Sequence, residues 1–133
     1  MASLVLDTHS AIWYLESSPR LSVPARQAIQ AAIAAGDPVF ISTVTVVELV
    51  YLVEKGRIPA TLLDQLLDLL RRPDSGFQVA TLDLATAERL QSVPGAVVRD
   101  MPDRMIAATA LTLGLPLVTR DPQIQRAGIT TFW

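Results

Sequence analysis

Four carboxylates fall where an apolar run ends or a helical pattern begins. Asp7 follows residues 3–6, Glu48 comes soon after residues 39–42, Asp103 stands beside Pro102, and Asp121 follows residues 117–119 and Arg120. Oxygen ligands of this kind suit a hard divalent ion such as Mg²⁺ or Mn²⁺, which keeps several waters and works with substrate phosphates. The sequence has no cysteine and a single histidine, His9, so disulfides, thiolate sites and multi-histidine zinc sites are excluded. A hard dication activates water, polarises a phosphoryl oxygen and orients an in-line attack. The chemistry in view is therefore hydrolysis of a phosphate ester.

Each acid also has a plain structural reading. Thr45-Val46-Val47-Glu48 fits a capping box, Asp103 fits a helix N-cap or a dipole partner, Asp121-Pro122 fits a turn opener, and Asp7 fits a strand-end turn. Taken together, these readings leave several negative charges unneutralised, and like charges packed closely are costly unless a cation intervenes. Asp83, in Thr81-Leu82-Asp83-Leu84, reads as a helix cap and stays structural. Asp100 either competes for the ion or pairs with Arg99 or Arg104. The hydroxyls of Thr8 and Thr119 either orient water or a carboxylate, or cap backbone groups. Arg104 and Arg120 flank the acids, as phosphate contacts or as dampers of carboxylate repulsion. His9 reads as a structural contact at a helix start rather than a general base.

The elements that must position these residues alternate along the chain. Strand patterns cover residues 3–6, 39–42, 77–80, 117–119 and 129–133, and helical patterns cover 10–16, 24–35, 46–55, 60–71, 84–91 and 104–113. Parallel neighbours need crossover connections, which helices supply, so the pattern predicts a three-layer α/β/α sandwich on a parallel sheet of four or five strands. Crossover helices run against the strands, which brings helix N-termini to the edge where strands end. Asp7 and Asp121 lie at strand ends, Glu48 in the first turn of the helix after strand two, and Asp103 at the opening of the helix before strand four. All four belong to one edge, where open α/β sheets place ligands.

Composition sets the bounds. With 133 residues, 50% of them apolar and 18% charged, the chain is too oily for disorder and reads as one domain spanning 1–133. Its longest uncharged stretch, residues 105–119, contains Gly114 and Pro116 and falls short of the roughly 18 residues of a membrane span. The start, MASLVLD, lacks a basic region followed by an apolar one, which predicts a cytoplasmic protein. A net charge of −2 argues against phosphate binding at first sight. Committing four acids to an ion leaves the cations in excess, and every cation but Lys55 is arginine, whose planar fork suits phosphate.

In order and spacing the sequence resembles the PIN-domain ribonucleases, and within them the VapC-like toxins of bacterial toxin-antitoxin pairs. The matching parts are Leu4-Val5-Leu6-Asp7-Thr8-His9, Ile41-Ser42-Thr43-Val44-Thr45-Val46-Val47-Glu48, Asp103-Arg104-Met105-Ile106-Ala107-Ala108 and Pro116-Leu117-Val118-Thr119-Arg120-Asp121. The resemblance implies that Asp7, Glu48, Asp103 and Asp121 form the acidic quartet that binds Mg²⁺ or Mn²⁺ and carries catalysis. Within that set, Asp7 and Asp103 are expected to hold the ion most directly, and Glu48 and Asp121 to complete the site through water or a second ion. It also implies strand order 3-2-1-4-5, cleavage of RNA phosphodiester bonds to 5′-phosphate and 3′-hydroxyl ends, a homodimer, and a cognate antitoxin that lays a segment across an apolar groove. Many relatives carry a histidine and a basic residue before Asp-Pro-Phe-Asp-Arg; here the run is Val98-Arg99-Asp100-Met101-Pro102-Asp103-Arg104, without the histidine and with the proline shifted.

Val46, Val47, Leu49, Val50, Tyr51, Leu52 and Val53 surround their helix, and Leu62, Leu63, Leu66, Leu67, Leu69 and Leu70 make a stripe wider than one sheet contact requires. An interface accounts for the excess. Two rival enzymes fit poorly. A haloacid-dehalogenase-type phosphatase needs a second Asp where His9 stands, and a phosphoryl-receiver domain needs a lysine near the last strand, whereas Lys55 is the only lysine. The non-enzymatic alternative is a catalytically inactive PIN-like regulatory or interaction domain.

Overall fold

The computed structural model describes residues 3–133; Met1 and Ala2, the start of the run read above for a leader, lie outside them. Leu4, Val5 and Leu6 are all buried, as expected of a central strand covered on both faces, and they form β1 (Leu4–Leu6). The remaining strands are β2 (Val39–Ser42), β3 (Phe77–Ala80), β4 (Leu117–Val118) and β5 (Thr131–Phe132). All neighbours pair in parallel, in the order β3-β2-β1-β4-β5, so the sandwich and its strand order stand as anticipated. The β1–β2 register pairs Leu6 with Ile41, and the β1–β4 register pairs Leu6 with Val118.

Strand alternation splits the core into two layers. Leu4, Leu6, Val39, Ile41 and Val118 face a cluster built with α1 (Thr8–Leu15), α2 (Val23–Ala35) and α4 (Ala60–Arg71). Val5 and Leu117 face the other cluster, built on α6 (Met101–Leu113), where Ile106, Ala107, Ala108 and Ala110 are buried. The small alanines let α6 lie close to the sheet. Helix α3 (Thr43–Glu54) serves both layers, with Val44 in one and Leu49 in the other. Beside α6, α5 (Leu84–Arg89) and a 3-10 turn (Leu90–Ser92) follow β3; a short α7 (Pro122–Gln125), which the sequence pattern did not show, links β4 to β5. Gly114 ends α6 in the left-handed region (φ 67°), a conformation that a side chain disfavours.

Two helices, α3 and α6, start three residues before the positions expected of them. Helix α3 begins at Thr43, because Ser42 Oγ accepts from Val44 N (3.0 Å) and caps it three residues earlier than a Thr45 cap would. Helix α6 begins at Met101 under an Asp100 cap rather than at Asp103. The leucine excess of α4 is largely absorbed inside, since Leu62 and Leu66 are buried and Leu63, Leu69 and Leu70 pack against the same core cluster. Surplus apolar surface remains on α3, where Val47, Val50 and Tyr51 are exposed. Among the described residues, no helix is long and apolar enough to cross a membrane.

Candidate active site

Asp7 is the first residue past β1 and the N-cap of α1, and β4 fixes it in place. Its N–H donates to the Val118 carbonyl (3.2 Å), its Oδ1 accepts from Ser10 N (2.9 Å), and Ser10 Oγ donates to that same carbonyl (3.0 Å). β1 has β2 on one side and β4 on the other, and its carboxyl end is the switch point of the sheet. Every fully buried polar side-chain atom among the described residues has a partner, so the second Asp7 oxygen, which has none, meets solvent.

Asp121 repeats the arrangement. It caps α7, with Oδ1 accepting from Gln123 N (2.8 Å), while its own N–H donates to Thr119 Oγ1 (3.0 Å). Thr119 is thereby committed to the turn. Asp103 is different: Asp100 takes the cap, accepting from Asp103 N (3.1 Å), and the Asp103 carboxylate accepts no hydrogen bond from the described residues. Burial raises its pKa from 3.8 to about 7, and the charges of Asp100, Asp121, Glu48 and Asp7 push the same way. Asp100, left open by the sequence, thus acts as a cap and as a source of negative potential.

Asp7, Asp103 and Asp121 line one cavity of about 440 Å³, together with His9, Trp13, Arg20 and Arg120. Glu48 does not line it. It sits at the head of a neighbouring apolar groove of about 360 Å³ between α3 and α6, beside Val47, Tyr51, Met101 and Met105. Nor does it lie in the first turn of α3 or close a capping box, because Ser42 already caps that helix; this corrects both readings. Glu48 is turned toward the acids by Thr8, whose hydroxyl donates to Glu48 Oε1 and lies 3.2 Å from Thr45 Oγ1. Burial raises the Glu48 pKa, the Thr8 bond opposes that rise, Asp100 and Asp7 add to it, and His9 offsets part of it.

The oxygen-only donor set, the unpartnered Asp103 carboxylate and its raised pKa fit a hard dication, which relieves crowded negative charge. Among the described residues no group of three acids is arranged to hold a metal ion, so the carboxylates would have to move closer together to bind one. Thr8→Val tests the link between Glu48 and the other acids. It should cost about 1–3 kcal/mol in chemical denaturation, because it strips a donor from a desolvated carboxylate. The loss should grow as pH rises through the Glu48 pKa, since only the charged form depends on that donor; a pH-independent loss would contradict it.

Two arginines part company. Arg104 is no phosphate contact: its guanidinium donates to the carbonyls of Val93 (3.0 Å) and Leu90 (2.9 Å), pinning the 3-10 turn onto α6. Arg120 stays at the cavity. Sequence reasoning missed Arg20 and Trp13 in that lining. Trp13 had a signal, its i+4 spacing from His9, which puts both rings on one helical face 5.6 Å apart. Arg20 had none, being a loop residue brought in by the fold. His9 is exposed at the cavity, with its ring against Trp13.

The family model of the PIN domain matches residues 4–129. The chain belongs to the PIN domain family. Ribonuclease VapC22 of Mycobacterium tuberculosis is 30% identical to this PIN-domain chain over 125 residues, covering 94% of this chain and 92% of that one. A chain of a toxin-antitoxin complex from Klebsiella pneumoniae is 25% identical, with a TM-score of 0.69 over 98% of this chain and 97% of that one. A chain of DNA-bound VapBC from Salmonella typhimurium shares the fold at 24% identity, with a TM-score of 0.73 over 99% and 98%. The resemblance to VapC-like PIN domains noted in the sequence therefore holds along nearly the whole chain.

Proposed function

We propose that this PIN domain is the ribonuclease toxin of a toxin-antitoxin pair, hydrolysing RNA phosphodiester bonds with Asp7, Glu48, Asp103 and Asp121 as its acidic set and Mg²⁺ or Mn²⁺ as cofactor. The observation that carries the reading is Asp103, a half-buried carboxylate with no donor among the described residues, raised to about 7 by burial and by the charges of four further acids. Asp7, Asp103 and Asp121 would hold the ion at the cavity, with Glu48 reaching it through water or a second ion. Such an ion supplies Lewis acidity, a water activated at neutral pH, and charge to balance the developing phosphorane. The chain's own residues do the rest. The cap bonds of Asp7 and Asp121 fix each carboxylate through one oxygen and leave the other to act, and Thr8 orients Glu48. A single-stranded RNA, with its bases unpaired, would reach the acids through this cavity.

VapC22 is named a ribonuclease, and the Klebsiella and Salmonella structures are of toxin-antitoxin or VapBC complexes. Both support the reading, which extends to a cognate antitoxin laid along the groove between α3 and α6. Tyr51 (59% exposed) and Met101 (68%) there offer apolar surface that runs up to Glu48 at the acid edge. A homodimer would cover Val50, the exposed valine of α3 outside that groove. One observation favours the alternative of a catalytically inactive interaction domain: among the described residues no group of three acids is arranged to hold a metal ion. Incubating the purified chain with mixed single-stranded RNA separates the two. Cleavage that requires Mg²⁺ or Mn²⁺, stops in EDTA and leaves 5′-phosphate ends is expected; intact RNA in every divalent ion would overturn the nuclease reading.

A further inference from the structure

Arg120 lines the cavity with Asp7, Asp103 and Asp121, yet it forms neither an ion pair nor a hydrogen bond with any of them. Its Cζ lies instead over the Trp13 ring, 4.6 Å from the centroid. Trp13 is itself held, 7% exposed, with the His9 ring 5.6 Å away and the Trp133 ring edge-on at 6.0 Å. An indole face attracts a guanidinium through its quadrupole and fixes the plane of the fork without using any N–H donor. The contact therefore presents a positioned cation whose donors are unspent among the described residues. A residue serving only to neutralise the acids would pair with them, and Arg120 does not.

A polyanion approaching three carboxylates needs positive charge at the same mouth, and Arg20 is the other arginine in that lining. We propose that Arg120, positioned by Trp13, is a phosphate clamp for single-stranded RNA that grips a backbone phosphate at the mouth of the acidic cavity. The clamp rests on the ribonuclease reading for its substrate, but it makes a prediction about binding that needs no turnover. Bidentate pairing through an arginine fork is the chemistry that would recognise the phosphate.

The test measures binding of a short single-stranded RNA to the full chain in EDTA, across a salt series, with the RNA checked to be intact. Arg120→Ala should raise Kd about tenfold or more, as loss of a charge-assisted contact does. It should also make the slope of log Kd against log salt shallower by about 0.7, one single-strand phosphate contact. Arg120→Lys should keep the slope and recover only part of the affinity. Trp13→Phe, which keeps an aromatic ring in the core, should weaken binding less than Arg120→Ala and, in Mg²⁺, raise KM more than it lowers kcat. An unchanged Kd and slope in Arg120→Ala would overturn the clamp, as would absence of wild-type binding or a fall in kcat with KM unmoved. Cleavage by wild type and Arg120→Ala alike would remove the clamp alone. Arg120-dependent binding without cleavage in any divalent ion would remove the ribonuclease reading and leave the clamp standing.

Discussion

Asp7→Asn should abolish RNA cleavage, by about a thousandfold or more, while leaving the fold intact. Asparagine keeps an oxygen where Oδ1 accepts from Ser10 N, and asparagine and aspartate are equally good N-caps, so α1 loses nothing at its start. The backbone bond from residue 7 to the Val118 carbonyl is independent of the side chain. What disappears is one negative charge at the switch point of the sheet, where the remaining acids are already crowded. Melting in EDTA should therefore be unchanged or slightly higher in the variant. Cleavage retained at saturating Mg²⁺ would count decisively against Asp7 as a ligand, and a variant that melts far below wild type would show that the residue is structural instead.

The edge logic that placed Asp7 and Asp121 was legible because strand ends and turn residues are local features, and the structure keeps both acids where strands stop. Capping and function are not alternatives at these two positions. A cap occupies one carboxylate oxygen, so Asp7 and Asp121 cap a helix and still present the other oxygen to the cavity. Glu48 is different: Thr45 and Ser42 are both good caps, and only the end of β2 decides between them. Its true anchor, Thr8, is 40 residues distant in sequence, a pairing that no local pattern reveals. The cap at Asp100 was hidden likewise, because Asp100 and Asp103 both precede the apolar face of α6, and the proline at 102, a good first-turn residue, fits a start at either one.

Asp103→Asn should make the ion-free protein more stable at pH 8 than wild type, the reverse of what most substitutions at a half-buried polar site do. The Asp103 proton is held more tightly in the folded chain, with a pKa of about 7 against the ordinary 3.8. Its contribution to folding is thus fully favourable below 3.8, declines as pH climbs through that value, and levels off above about 7, where both states are ionised. At 1.36 kcal/mol per pKa unit the penalty above that range would reach about 4 kcal/mol. Partial exposure screens the charge, so about 1–2 kcal/mol is the expected gain in urea titrations at pH 8. At pH 3, where Asp103 is protonated in either state, the two proteins should coincide. Divalent ions should reverse the order, because a bound ion stabilises the folded state by its affinity for it: Mg²⁺ should raise the wild-type midpoint at pH 8 and leave Asp103→Asn nearly unmoved. Parallel stability curves for the two proteins from pH 3 to pH 8, with the same response to Mg²⁺, would mean that the negative potential at Asp103 is not what an ion relieves. The acidic set would then lose the physical reason for its ion.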